Sequence, residues 1–125
     1  MILLFTDFGI AGPYVGQMKT ELAERASGIP VVDLQHDAPA FRPVEAGQLL
    51  AALVPYAPPA CVMLCVVDPG VGTDRRALVL RLGDRWLVGP DNGLFAPSIR
   101  RAARDGARET PAPAPDTRGP AFSPG

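Results

Sequence analysis

An open, mostly parallel α/β sheet flanked by helices is the fold class that this sequence predicts. Three observations predict it. Short continuous apolar runs, Ile2 to Phe5, Val31 to Leu34 and Cys61 to Val67, have strand length and little polar alternation, the look of strands covered by helices. Between them lie stretches with apolar residues at helical spacing, so the order is β-α-β-α-β, the signature of right-handed crossovers within one parallel sheet. After Val67 the period changes to that of a hairpin.

Taken in order, Ile2-Leu3-Leu4-Phe5 leads straight into Thr6-Asp7-Phe8-Gly9. Pro13 suits a first helical turn, and Tyr14, Val15, Met18, Leu22 and Ala26 recur at helical spacing as far as Gly28, a natural stop. The second strand ends in Gln35-His36-Asp37. Pro43 opens the second helix, with Val44, Gly47, Leu50, Ala51 and Val54 on one stripe, and Pro55, Pro58 and Pro59 close it. Cys61 to Val67 is the central strand. Ala77 to Leu82, a Gly83-Asp84 turn and Trp86 to Val88 form a hairpin in which Trp86 packs. Leu94 through Arg104 read as a helix, with Pro97 near its start and Gly106 just past its end. From Thr110 onward prolines and alanines replace any period. The expected organisation is therefore an incomplete α/β domain over residues 1–109 and a disordered Pro/Ala-rich tail over 110–125.

Composition narrows the function classes. A chain of 125 residues makes one domain and can bury about two thirds of its unfolded surface. A net charge of -1 leaves no basic face for sequence-independent nucleic-acid binding, so no nucleic-acid partner is expected. Cys61 and Cys65 stand four apart in one strand, about 13 Å at ~3.3 Å per residue and beyond disulfide reach, which makes them core residues of a reducing compartment. His36 is the only histidine, and no cofactor or metal centre is expected, although a magnesium-carboxylate site stays open without any DxD-type spacing in its favour. Apolar runs are too short for a signal peptide or a membrane span, so the expected location is cytoplasmic.

The chemistry concentrates where strands stop. Asp7 follows the first strand, Asp68 the third, and Asp91 the hairpin, and ligands of open parallel sheets bind beyond the carboxyl ends of the strands. In Val66-Val67-Asp68-Pro69-Gly70-Val71-Gly72-Thr73-Asp74-Arg75-Arg76 a buried run ends on a carboxylate, then a Pro/Gly loop folds back to two arginines. An ordinary strand connection with a solvated salt bridge has the same ingredients. The GxG within it precedes a strand, so neither a dinucleotide fingerprint nor a P-loop fits. An edge lined with acids suits a ligand carrying hydroxyls, amines or positive charge.

Four separated motifs occur in the order and spacing of one family: Thr6-Asp7-Phe8-Gly9 with Tyr14-Val15-Gly16-Gln17-Met18-Lys19; Val32-Asp33-Leu34-Gln35-His36; the Asp68 to Arg76 loop; and Gly89-Pro90-Asp91-Asn92-Gly93-Leu94. Over about residues 1–95 the chain resembles the S-adenosylmethionine hydrolases (SAM hydroxide adenosyltransferases), relatives of the fluorinase and chlorinase. The resemblance implies water attack at the ribose 5′ carbon of S-adenosylmethionine, giving adenosine and methionine. It implies Asp68 and Arg75 as the catalytic, water-handling pair, and Asp7 as the residue that holds the ribose hydroxyls. Phe8, Tyr14, Asp91 and Asn92 complete the implied substrate site, with Tyr14 in the core or facing the ribose. Arg75 rather than Arg76 is the family's choice; physically either could reach. The implied assembly is a homotrimer with its site shared between one protomer's first domain and a neighbour's second.

Two departures qualify the expectation. The family's third water-handling residue is a histidine in a His-Gly-Arg-Asp context beyond the Pro-Asp-Asn-Gly loop, and this sequence has no such segment. His36 belongs to a different motif and is either a strand-end structural residue or part of the site lining. A frameshifted gene or a fragment would give the Pro/Ala tail. Hydrolysis is thus the first expectation, with a catalytically inactive nucleoside-binding or interaction remnant as the alternative and halogenation less favoured.

Overall fold

The computed structural model describes residues 1–40, 42–67, 76–105 and 109–112. Strand β1 (Ile2–Thr6) is followed by α1 (Tyr14–Arg25), β2 (Val31–Gln35), α2 (Pro43–Leu53), a 3-10 turn (Val54–Tyr56) and β3 (Val62–Val66). The hairpin β4 (Ala77–Leu82) and β5 (Arg85–Pro90), helix α3 (Ala96–Arg104) and β6 (Glu109–Ala112) complete it. The strands form one sheet in the order β2-β1-β3-β5-β4-β6. β1 pairs in parallel with both β2 and β3, β3 pairs in parallel with β5, and β4 runs antiparallel to β5 and β6. The mixed α/β class and the β-α-β-α-β order hold as expected.

The crossover through α1 leads away from β1 to the sheet edge, and the crossover through α2 leads back past it. Right-handed connections of opposite direction place α1 and α2 on opposite faces. The main core lies on the α2 face, where Leu3 and Phe5 of β1, Met63 and Cys65 of β3, and Leu87 of β5 meet Ala46, Leu50 and Val54, together with Phe95 and Ala102 of the α3 region. Helix α2 packs on α3 there. Arg85 fastens the end of the α2 segment, its Nε donating to Ala57 O (2.9 Å) and Nη2 to Pro55 O (3.4 Å). Both thiols are buried and free, and burial raises the pKa of each.

Several details depart from expectation. Cys61 to Val67 reads as a buried strand, yet burial alternates along β3, with Met63 and Cys65 enclosed and Val62, Leu64 and Val66 half-buried. Val44, placed on the buried stripe of α2, is 62% exposed. It stands in the first turn, before Ala46, Gly47, Leu50 and Ala51 meet the core. Leu94 and Phe95 precede α3 in a buried turn rather than opening the helix. Thr110 to Ala112, read as tail, lie in β6, where Thr110 pairs with Arg81, Pro111 with Leu80 and Ala112 with Val79. An edge strand needs main-chain pairing on one side only, so it tolerates a proline and requires no apolar alternation. Gly106 and residues 113–125 lie outside the described residues. Trp86 does pack in the hairpin, opposite Arg81 in register and with the guanidinium 5.7 Å from the ring centroid.

The close approach of α2 to the α3 region depends on Gly47. A Cβ built there would lie 2.5 Å from Leu94 O and 3.1 Å from the Pro97 ring. Gly16 in α1 has open space instead. Gly16→Ala should therefore stabilise the protein by about 0.5–1 kcal/mol, the ordinary helix gain. Gly47→Ala should destabilise it by about 1–3 kcal/mol, because backbone cannot yield as a side chain tip can. Urea midpoints of the two variants check this, and a stabilised Gly47→Ala would contradict the packing argument.

Candidate active site

The parallel strands end level with one another. Ile2 to Thr6 pair with Val62 to Val66 without a register shift, so Asp7 and Val67 follow their strands at the same level. Main-chain and amide bonds then fasten the edge. Asp7 N donates to Val66 O at 3.3 Å, and Asp91 N donates to Arg76 O at 2.8 Å. Asn92 Nδ2 donates to Val67 O at 2.7 Å, while its Oδ1 accepts Leu94 N at 3.1 Å. The segment carrying the expected catalytic pair is thus gripped at both of its described ends, Val67 and Arg76, beside Asp7 and Asp91. Asp68 and Arg75 themselves lie outside the described residues.

The remaining site residues take distinct positions. Asp7 and Phe8 are half-buried on the loop after β1. Tyr14 is 38% exposed and so is not a core residue; its ring meets Phe8 edge-on, with centroids 5.9 Å apart and planes at 64°. Asp91 is exposed and Asn92 half-buried. Both polar ends of the Asn92 side chain engage main chain, so its visible work is to hold Val67 and the turn into α3. The loop after Phe8 turns at Gly9, whose φ of 72° favours glycine, and Gly9 N donates to His36 O at 2.6 Å.

His36 is buried, and both its ring nitrogens face protein groups. Its Nδ1 lies 2.8 Å from Thr6 Oγ1 and its Nε2 2.8 Å from Asp33 Oδ1. Asp33 Oδ2 also receives Lys19 Nζ at 2.7 Å. Sequence reasoning assigned no chemical role to Thr6, Lys19 or Asp33, although all three lie within the quoted motifs. The three-residue spacing from Asp33 to His36 was the available signal. Among the described residues there is no group of three or more His, Cys, Asp or Glu that could hold a metal ion, and no helix is long and apolar enough to cross a membrane.

An open α/β sheet whose carboxyl edge carries an aspartate, an aromatic pair and two tethered loops has the layout of a small-molecule-binding α/β domain. The chain belongs to the SAM hydroxide adenosyltransferase family, whose N-terminal domain matches residues 2–121. It is 44% identical over 126 residues to a (R)-S-adenosyl-L-methionine hydrolase of Thermus thermophilus, covering 99% of this chain and 49% of that protein. A Salinispora tropica protein of the same name is 47% identical over 90 residues, covering 72% and 34%. Among solved structures, a conserved hypothetical protein of Thermus thermophilus superposes with a TM-score of 0.72 at 41% identity, over 88% of this chain and 43% of that one. An uncharacterised conserved protein of Thermotoga maritima superposes with a TM-score of 0.76 at 32% identity, over 89% and 42%. The chain therefore spans at most about half the length of these relatives.

Asp33 gives the site a measurable pH signature. The hydrogen bond from His36, and next that from Lys19, hold its carboxyl below the ordinary 3.8, against an opposing push from burial. A lowered folded-state pKa adds stability that is present above 3.8 and is lost as pH falls through the folded value. Asp33→Asn should thus be less stable than the native protein at neutral pH, with the difference closing below pH 3.8. Urea titrations across the acid range test this; a constant difference would show that the carboxylate charge is not the cause.

Proposed function

We propose that this chain carries the nucleoside-binding half of a (R)-S-adenosyl-L-methionine hydrolase, and that the reaction is water attack at the ribose 5′ carbon to give adenosine and L-methionine. The observation that carries the reading is the tethered edge: Asp7, Asp91 and both described ends of the Asp68–Arg75 segment meet at the carboxyl ends of β1, β3 and β5. Family membership and the names of the relatives supply the substrate.

In this reading the Asp7 carboxylate accepts hydrogen bonds from the ribose hydroxyls, and the Phe8–Tyr14 pair borders the nucleoside. A water oxygen forms its bond to C5′ as the C5′–S bond breaks, and the electron pair of that bond stays on the methionine sulfur. The surplus proton of the water passes to solvent. Sulfonium is a good leaving group, so the protein has chiefly to align and desolvate the water. Asp68, paired with Arg75, would be held ionised and be a poor proton acceptor, which casts it as the residue that orients the water. Its negative charge also favours the ground-state cation, so preference for the transition state has to come from alignment and from the charge developing on the water. The buried free thiols accord with a cytoplasmic setting.

A second reading, nucleoside binding without turnover, is favoured by one observation. Both ring nitrogens of the single histidine are engaged away from the loop, so His36 does not supply the third water-handling group that the family resemblance calls for.

Incubation of the purified chain with each sulfonium epimer of S-adenosylmethionine, followed by chromatography, should yield adenosine and methionine from the (R) form. Asp68→Ala should abolish that turnover with the fold intact, and retained turnover would remove Asp68 from the mechanism. Asp7→Ala should weaken adenosine binding by about 10- to 100-fold, the value of hydrogen bonds to a charged group. Adenosine binding with no turnover selects the second reading, and neither binding nor turnover rejects both.

A further inference from the structure

One hydrogen-bonded chain joins the three motif segments that precede the central strand. Lys19 on α1 donates to Asp33 on β2; Asp33 and His36 share a 2.8 Å contact through Nε2; and His36 Nδ1 lies 2.8 Å from the hydroxyl of Thr6, the last residue of β1. Thr6 and His36 are buried, with 0% and 6% exposure, so proper pairing there matters more than it would at the surface. The protons can be assigned. An ionised Asp33 carboxylate can only accept, so the ring carries its hydrogen on Nε2; Nδ1 of the neutral ring then accepts the Thr6 hydroxyl, whose oxygen in turn accepts Phe8 N–H at 3.3 Å. From the same two residues the main chain adds Gly9 N to His36 O at 2.6 Å and Ala38 N to Thr6 O at 3.0 Å. The peptides on either side of Phe8 are therefore set by Thr6 and His36, one residue beyond Asp7.

We propose that Lys19, Asp33, His36 and Thr6 form a positioning relay that fixes the Asp7–Phe8 loop in its ligand-binding conformation. None of the four is a catalytic residue in this proposal; each acts through the loop. The chain resembles a carboxylate–imidazole–hydroxyl triad in connectivity, but the buried Thr6 hydroxyl already serves an amide and a ring nitrogen, which leaves it a tether and not a nucleophile. The functional meaning of the relay rests on the nucleoside-binding role proposed for Asp7.

Thr6→Val keeps the β-branched shape and removes the hydroxyl, whereas Thr6→Ser restores it. In the 125-residue chain, amide exchange at Phe8 and Gly9 should speed up about tenfold in Thr6→Val, one net hydrogen bond's worth, while Leu4 and Phe5 within β1 keep their protection. The adenosine dissociation constant should rise about tenfold in the same variant, and Thr6→Ser should recover most of both effects. The 15N shifts of His36 should report the Nε2–H tautomer in the native chain and change at Nδ1 in Thr6→Val. Unchanged exchange at Phe8 and Gly9 would overturn the relay. Faster exchange with native adenosine affinity would overturn its positioning role. If the native chain binds no adenosine, the proposed nucleoside site fails, and the exchange measurement still decides whether the relay holds the loop.

Discussion

The parallel pairing of β1 with β3 is the constraint on which the site depends. Five consecutive partners, Ile2 with Val62 through Thr6 with Val66, run without a bulge, so the two strands leave the sheet at the same level. A slip of one residue would turn Leu3 and Phe5 from the α2 core toward the opposite face and carry Asp7 away from Val66. Burial of Phe5 and Cys65 on one side and Leu4 on the other therefore fixes more than stability. It fixes where an acidic residue meets the start of the next loop.

Around that register, polar side chains do what apolar packing cannot. The core is non-directional and would tolerate small rotations of a loop. Asn92, Thr6 and His36 each bind main-chain or side-chain partners on neighbouring segments, and hydrogen-bond geometry is narrow. Their positions divide the work. Asn92 holds the entry to the Asp68 segment from the β5 side, and the Thr6–His36 pair holds the Asp7 loop from the β2 side. The two tethers flank the junction of β1 and β3.

Much of this fold was legible because burial writes a period into side chains. Met18 is the buried residue of α1, with Val15 and Leu22 half-buried, and Pro43 and Pro97 mark helix starts, as the structure finds them. Legibility failed where the deciding groups were main-chain or long-range. β6 is held by its ladder to β4, which no side-chain pattern announces, and Pro111 argued against it. The exposure of Val44 and the half-burial of Leu64 are tertiary facts, set by which neighbours each residue meets. Asp7, Asp91 and their edge could be inferred from strand ends alone. The partners of His36 could not, since Thr6 is 30 residues away and only the β1–β2 pairing brings the two together.

The proposed chemistry explains why rigidity should be concentrated at this edge. An enzyme that moves protons needs groups with tuned acidity, whereas attack on a carbon bearing a sulfonium needs a line of approach. Misplacement by about an ångström in such an alignment can cost on the order of a hundredfold in rate. A flexible loop after β1 would let a bound ribose drift relative to a water held near β3. In the structure that drift is opposed from both sides of Asp7: by the bond from its own amide to Val66, and by the bonds of Phe8 and Gly9 to Thr6 and His36. The imidazole therefore has a use that does not require it to touch the substrate. Its two nitrogens, engaged in opposite directions, transmit the position of β2 and α1 to the loop where the ligand is proposed to bind.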